Sequence, residues 1–347
     1  MKIFINTPSF RFCGGVANHF MGLESFWTER VKYNHIGKRV HNAPWLTYLI
    51  LPYDILKFII RLLFFRPDMV LVNPSMAPVA VKRDFTYLKI ARFLGFKGAA
   101  MFHGFHTESV KDMIPYIVKQ LNKTCLIFVL AKEFKTILEE WGVTVPIELT
   151  TTKVDDRMLD GFSIEQRQGK VENILFLARV TKAKGILVAL GVFKELCRQH
   201  PNLRYTVVGD GVDLNEAKAY VKDNGIPNVT FTGALSGEKL TEEFKRADLY
   251  LFTSYHEGMP TSVLEAMAFG LPIVTHPVGG MIDFFDENMG FAVNTFEAAD
   301  FVPPIEDLIE NQEKTKQISE YNYRYAHDHF LASMVAKRME NIFRRYI

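Results

Sequence analysis

His256–Val274 reads HEGMPTSVLEAMAFGLPIV. Two acids, Glu257 and Glu265, stand with seven residues between them, and Gly258 and Pro260 lie where an apolar run begins. Proline suits the first position of a helix, where its missing N–H does no harm. The spacing predicts a helix from near Pro260 to Gly270, with Pro272 barring continuation. Val263, Ala266, Met267 and Gly270 are spaced for one buried face. Glu257 then precedes the helix on a loop. Glu265 sits one turn above Thr261 on the same side, and its side chain leans back toward the N-terminus. Two acids thus converge beside a helix N-terminus whose free N–H groups attract anions. Such a site suits a ligand with a phosphate at the helix end and hydroxyls on either side, as in a nucleotide sugar. The alternative reading is a surface helix with two solvated acids.

Working outward, Asp248–Thr253 reads as the strand that feeds this stretch, and Pro272–Thr275 as the strand that follows it. Strands are also expected at Asn173–Ala178, Leu203–Val208 and Val229–Thr232, and helices at Gly185–His200, Asp213–Asn224 and Glu238–Ala247. Ile305–Ile347 reads as mostly helical. The first half alternates in the same way. Lys2–Thr7, Met69–Asn73, Gly98–His103 and Cys125–Ala131 read as strands. Val16–Lys32, Arg83–Leu94, His106–Asn122 and Lys132–Trp141 read as helices. Alternation of this kind implies parallel sheets covered on both faces, with ligands at the carboxyl ends of the strands. Gly14-Gly15 and His103-Gly104 fall at such ends. A polar stretch with weak periodicity, about residues 150–172, reads as a hinge between two similar halves, and two such halves imply a cleft that would house a small-molecule site.

The length, 347 residues, fits two domains. The hydrophobic fraction of 48% and charged fraction of 23% are those of a globular chain, which excludes a disordered one. Cys13, Cys125 and Cys197 are scattered without metal-ligand spacing, which fits a reducing compartment. The net charge of +2 hides an asymmetry. Residues 1–160 hold 21 Lys and Arg against 14 Asp and Glu, whereas the remainder holds 20 against 25. The basic half also contains the most apolar stretch, Trp45–Phe65. Asp54, Lys57, Arg61 and Pro52 interrupt it, so it does not read as a membrane span. Two readings stay open: a buried helix, or an amphipathic face resting on an anionic membrane with help from Arg61, Arg66, Lys82, Arg83, Lys89 and Arg92. No nucleic-acid motif accompanies these cations.

In the second half, Arg179 and Lys184 bracket a loop after a strand, and two cations can neutralise a leaving diphosphate without a metal. Gly209-Asp210-Gly211 lets the backbone approach a ring. The run LFLARVTKAKGI…YTVVGDG…VTFTGALS…ADLYLFTSYHEGMPTSVLEAMAFGLPIVTHPVGG resembles the donor domain of the retaining, nucleotide-sugar-dependent glycosyltransferases of family four (glycosyl transferases group 1), with a GT-B fold. The resemblance covers about residues 173–293 strongly. It extends more loosely to GGVANH, PDMVLVN and FHGFH in the first half.

The resemblance implies two Rossmann-like, doubly wound α/β domains facing a central cleft. Residues 1–155 would bind the acceptor, 156–172 would be a linker, 173–320 would bind the donor, and 321–347 would form a helix packing back toward the first domain. It implies that Arg179 and Lys184 bind the donor diphosphate. Glu257 would contact the transferred sugar, with Gly258, Met259 and Thr261 near the phosphates. Glu265 would accept hydrogen bonds from the ribose, and Gly209 and Gly233–Leu235 would border the base. Gly14 and Gly15 would close over the phosphates and acceptor from the first half, and His103 would line the sugar site and assist at the reacting centre, a catalytic role with Glu257, Arg179 and Lys184. Three positions depart from the family pattern: Ala178 for Gly, Thr in ELTTTKVDD for Asn, and Asp283 for Glu.

The expected activity is metal-independent, retaining transfer of a sugar to a hydroxyl. No cofactor beyond the nucleotide-sugar donor is expected. The acceptor would be a carbohydrate or lipid-linked carbohydrate, in the cytoplasm or at the inner face of the membrane. The competing readings are a GT-B epimerase or phosphorylase, separable by product formation from donor alone, and a non-catalytic sugar-nucleotide-binding protein.

Overall fold

The computed structural model describes residues 1–11, 14–36, 46–105 and 107–347, with backbone only for 46–51. Contacts divide the chain into two units, Met1–Lys153 with Ala332–Ile347, and Val154–Leu331. The first unit holds β1 Lys2–Pro8, α1 Gly15–Leu23, β2 Arg30–Ile36, α2 Leu46–Phe65, β3 Met69–Val72, α3 Pro78–Phe93, β4 Lys97–Phe102, α4 Ile114–Leu121, β5 Leu126–Val129, α5 Lys132–Glu140 and β6 Ile147–Leu149. The second holds β7 Asn173–Leu177, α6 Ile186–Gln199, β8 Arg204–Val208, α7 Leu214–Asp223, β9 Val229–Gly233, α8 Glu238–Arg246, β10 Leu249–Phe252, α9 Thr261–Ala268, β11 Ile273–Thr275, β12 Gly290–Ala292, α10 Ala298–Glu310 and α11 Gln312–His329. The last helix, α12 Ala332–Tyr346, belongs to the first unit.

Each unit is built on a six-stranded sheet in which every strand pair is parallel, in the orders β2-β1-β3-β4-β5-β6 and β12-β11-β10-β7-β8-β9. The central strands are apolar throughout because helices cover both faces. Met69–Val72, Leu126–Val129 and Leu249–Phe252 are wholly buried. In the second unit one core cluster centres on Phe176, Phe193 and Tyr205, and another on Phe244, Tyr250 and Phe269. In each sheet the winding reverses once, between β1 and β3 and between β7 and β10. At such a switch point the flanking loops diverge and leave a crevice at the carboxyl ends.

Several expected elements differ. The helix expected over Val16–Lys32 ends at Leu23, and a 3-10 turn, Glu24–Phe26, leads into β2. β2 is an edge strand with charged residues on its open face, so it lacks the apolar run that marks a central strand. The helix expected over His106–Asn122 is a 3-10 turn, Glu108–Met113, followed by α4. His106 lies outside the described residues, as do Cys13 and Trp45. Pro78 starts α3 five residues before the expected Arg83. The short strands β6 and β12 were not expected.

The segment 156–172 is no free linker, because Arg167 is buried in the second unit. Its guanidinium donates to Phe244 O (2.8 Å), Lys245 O (3.3 Å), Phe269 O (2.9 Å) and Ala247 O. The helix expected over 321–347 is divided, with α11 in the second unit and α12 in the first. Glu340 on α12 is buried and accepts from Thr28 N (2.7 Å), Thr28 Oγ1 (2.5 Å) and Glu29 N (2.9 Å).

Candidate active site

The loops after β7 and β10 meet at the switch point of the second sheet. Arg179 lies two residues past β7 with its side chain exposed. Lys184 closes a 3-10 turn, Lys182–Lys184. Gly185 follows at φ 71°, and a Cβ there would lie 2.0 Å from Thr253 O. The lysine loop therefore rests directly on the end of β10. Lys184 Nζ donates to Glu257 Oε1 at 2.5 Å and to His256 O at 3.2 Å. Both side chains of this ion pair are largely buried, at 15% and 18% exposure. Little water screens the pair, so each side chain holds the other in place.

Glu257, Gly258 and Met259 form the loop before α9, and Gly258 O accepts from Gly280 N at 2.7 Å. Met259 packs on the core around Phe252 and Val263. Pro260 is the N-cap of α9 rather than its first residue, and its side chain offers no cap. Val263 N donates to Pro260 O at 3.0 Å, which leaves the N–H groups at Thr261 and Ser262 for another partner. The helix does not bury a single face: Val263, Leu264, Ala266, Met267 and Ala268 are all buried, while Thr261, Ser262 and Glu265 are half-exposed. The sheet lies on one side of α9, and α11 packs on another. The narrow polar strip is the part that faces outward.

Tyr250, which sequence reasoning passed over as a core residue, is fully buried beneath the strip. Its hydroxyl donates to Leu177 O at 2.9 Å and also lies within reach of Ser262. Burial, with Glu265 and Glu257 nearby, drives its pKa far up, so it stays a neutral donor. A tyrosine inside an apolar strand carries no signal of this role. Tyr255 stacks on Phe296 with centroids 3.9 Å apart, at the edge of the same loop.

Gly209 and Gly233 are brought together at the ends of β8 and β9, where Gly209 N donates to Gly233 O at 2.9 Å. Gly209 has φ 144°, and a Cβ there would lie 1.9 Å from Ala178 O. Only glycine lets β8 close on the loop that leads to Arg179. Leu235 is half-buried beside this pair.

In the first unit, Gly14 is the N-cap of α1, and no atom crowds it or Gly15. His103 follows β4, and its Nε2 lies 3.2 Å from Asn73 Oδ1. Asn73 Nδ2 donates to Asn6 O (2.8 Å), Asn34 Nδ2 to Asn6 Oδ1 (2.7 Å), and Arg61 to Asn34 Oδ1 (3.0 Å). The His103 ring packs edge-on against His19 (5.1 Å) and Phe20 (5.8 Å). Burial lowers the His103 pKa to about 3. Burial first, then His103 and Lys153, lowers that of His19. Both rings are neutral near pH 7.

Residues 162–325 match the family model described as glycosyl transferases group 1. The second unit carries a group 1 glycosyl transferase domain. Spore coat protein SA of Bacillus subtilis (strain 168) is 26% identical over 182 residues, 50% of this chain and 48% of that protein. Alpha-monoglucosyldiacylglycerol synthase of Streptococcus pneumoniae is 23% identical over 201 residues, 50% of this chain and 45% of that one. The matches thus span about half the length of these relatives. The crystal structure of Anabaena HepE in complex with UDP superposes with a TM-score of 0.79 at 16% identity, covering 99% of this chain and 100% of HepE. That likeness shows the fold, GT-B: two doubly wound parallel-sheet units.

Proposed function

We propose that the protein transfers a sugar from a nucleoside-diphosphate sugar to a hydroxyl acceptor, with retention at the anomeric carbon. The observation that carries the reading is the Lys184–Glu257 pair at the switch point of the second sheet, beside the uncapped start of α9. In this reading Arg179, Lys184 and the α9 N-terminus take the diphosphate, which needs no metal to neutralise it. Glu257 takes a sugar hydroxyl, Glu265 the ribose, and the backbone at Gly209, Gly233 and Leu235 the base. In the first unit, Gly14 and Gly15 follow β1 and His103 follows β4. The bond from the anomeric carbon to the diphosphate oxygen breaks, the acceptor oxygen bonds on the same face, and its proton passes to the diphosphate. HepE, which shares the fold, is seen with UDP, and this supports a nucleotide donor.

The acceptor is proposed to be membrane-proximal or lipid-linked. Support comes from the basic first half, from the outer face of α2, and from a relative that is a glycolipid synthase. The test is diphosphate release from a panel of nucleotide sugars, with and without lipid-linked acceptors. Lys184→Ala and Glu257→Ala are each expected to cut turnover by about 10²–10³. Full turnover in either variant would refute the assignment. An epimer formed from donor alone would favour the epimerase reading.

A further inference from the structure

The candidate site lies at the carboxyl ends of the strands. A different feature occupies the amino end of the first sheet. Lys2 opens β1 and Arg30 opens β2, and the two are register partners. Lys32 is two residues on, hence on the same face of the edge strand as Arg30. Arg61, near the end of α2, reaches the same place, held by Tyr33 O (2.8 Å) and Asn34 Oδ1 (3.0 Å). Together Lys2, Arg30, Lys32 and Arg61 line a recess of about 240 Å³ with Ile60, Phe64 and Phe65. Lys32 Nζ stands 4.8 Å from the Phe65 ring centroid and Lys2 Nζ 6.0 Å from it. Among the described residues, no carboxylate lines the recess. The nearby Asp68 is engaged by the Lys2 backbone N–H. Four like charges so close repel one another, and an anion among them would relieve the repulsion.

The helix beside the recess presents an apolar face to solvent. Tyr53 (60% exposed), Leu56 (57%), Ile60 (45%), Leu63 (51%) and Phe64 (87%) share one side of α2, with Lys57 among them. Phe58, Leu62 and Phe65 fill the opposite, buried side. The neighbouring α3 repeats the pattern: Val79 (82%), Lys82, Thr86, Lys89 and Phe93 (90%) form one exposed stripe. The two helices touch through Phe58 and Tyr87, whose ring centroids are 4.9 Å apart. Each leads into the next parallel strand, so Phe64 and Phe93 both arrive at the amino end of the sheet, Phe64 in the lining of the recess. No described helix is long and apolar enough to cross a membrane. Aromatic side chains around a cationic recess match an interface that is apolar inside and anionic at its surface.

We propose that the outer faces of α2 and α3 dock on an anionic lipid bilayer, with the Lys2–Arg30–Lys32–Arg61 recess taking a phospholipid headgroup phosphate. Ile60, Phe64 and Phe93 enter the acyl boundary. The proposal deepens the membrane-proximal reading above.

The test is co-sedimentation of the full chain with vesicles of phosphatidylcholine alone, or of phosphatidylcholine mixed with phosphatidylglycerol, at low and high salt. The wild type is expected on the mixed vesicles only, and less of it as salt rises. Removing both exposed cations, Arg30→Gln with Lys32→Gln, is expected to lower the partition coefficient about 25-fold, about fivefold per basic residue. Phe64→Ser is expected to weaken binding while keeping its salt dependence. Unaltered circular dichroism checks that each variant is folded. Equal binding to neutral vesicles, or an unchanged partition coefficient in the double variant, would overturn the proposal. So would self-association without vesicle binding, which would assign the face to a second copy of the chain. Diphosphate release from soluble donor is measured in parallel. Release without vesicle binding removes the docking surface alone, and vesicle binding without release removes the transferase reading alone.

Discussion

Lys184 and Glu257 lie 73 positions apart in the chain and 2.5 Å apart in space. Their identity as candidates was legible in the motifs, but their mutual ion pair was not, because no local spacing encodes a contact across the ends of β7 and β10. The glycines were half legible. Gly209 reads as a turn in the sequence, whereas the structure shows that its missing side chain admits Ala178 O. Gly209→Ala is expected to lower stability by about 2–3 kcal/mol, read from the denaturant midpoint, with donor binding weakened as well. The histidines give a pH signature. An unfolded histidine titrates near 6.5, whereas folded His103 does so near 3. Between those values the unfolded chain binds more protons, so acid favours unfolding. Stability should therefore fall as pH drops below about 6.5, by up to about 1.4 kcal/mol per pH unit for each buried ring. Urea midpoints of the wild type and His103→Gln across that range check it, and the variant should show the shallower slope.

At the scale of elements, the apolar strands and the glycine-stopped helices were readable because parallel strands buried on both faces form continuous hydrophobic runs. β2 was not, since only its pairing with β1 makes Arg30–Ile36 a strand. Arg167 was missed for a related reason. In sequence it is one charge in a polar stretch, but in space it gathers carbonyls at the C-terminal ends of α8 and α9. Burial lowers its pKa only to about 10, so it stays charged and complements both helix ends. Arg167→Met should cost about 3 kcal/mol and loosen α9, the helix that bears Thr261 and Glu265. Chemical denaturation together with hydrogen exchange in residues 261–268 would check both effects. Glu340→Gln tests α12 in the same way, with an expected loss of about 2 kcal/mol from its charge-assisted bonds to Thr28 and Glu29.

At the scale of the whole molecule, the alternation of strands and helices announced two doubly wound units. The ownership of the C-terminal segment follows from contacts that the alternation does not encode. The chain passes to the second unit at Val154 and leaves it at Leu331, and Val154 N donates to Phe330 O at 2.8 Å. Ala332–Ile347 then returns to the first unit, where Phe343 packs on Phe128 with ring centroids 5.2 Å apart. Truncation after Leu331 should strip that cover from β5 and leave the first unit aggregation-prone, while the second keeps its fold. Limited proteolysis of the truncated chain would show digestion confined to residues 1–153.

The run of asparagines beneath His103 fixes where a proton sits. Asn73 spends its amide N–H on Asn6 O, so its Oδ1 faces the imidazole as an acceptor. His103 must therefore carry its hydrogen on Nε2. A ring with so low a pKa carries no second hydrogen near neutrality, and Nδ1 is left as a bare lone pair. The tautomer is thus chosen by the sheet beneath it: toward any sugar hydroxyl His103 can receive a hydrogen bond at Nδ1, but it has no proton there to give.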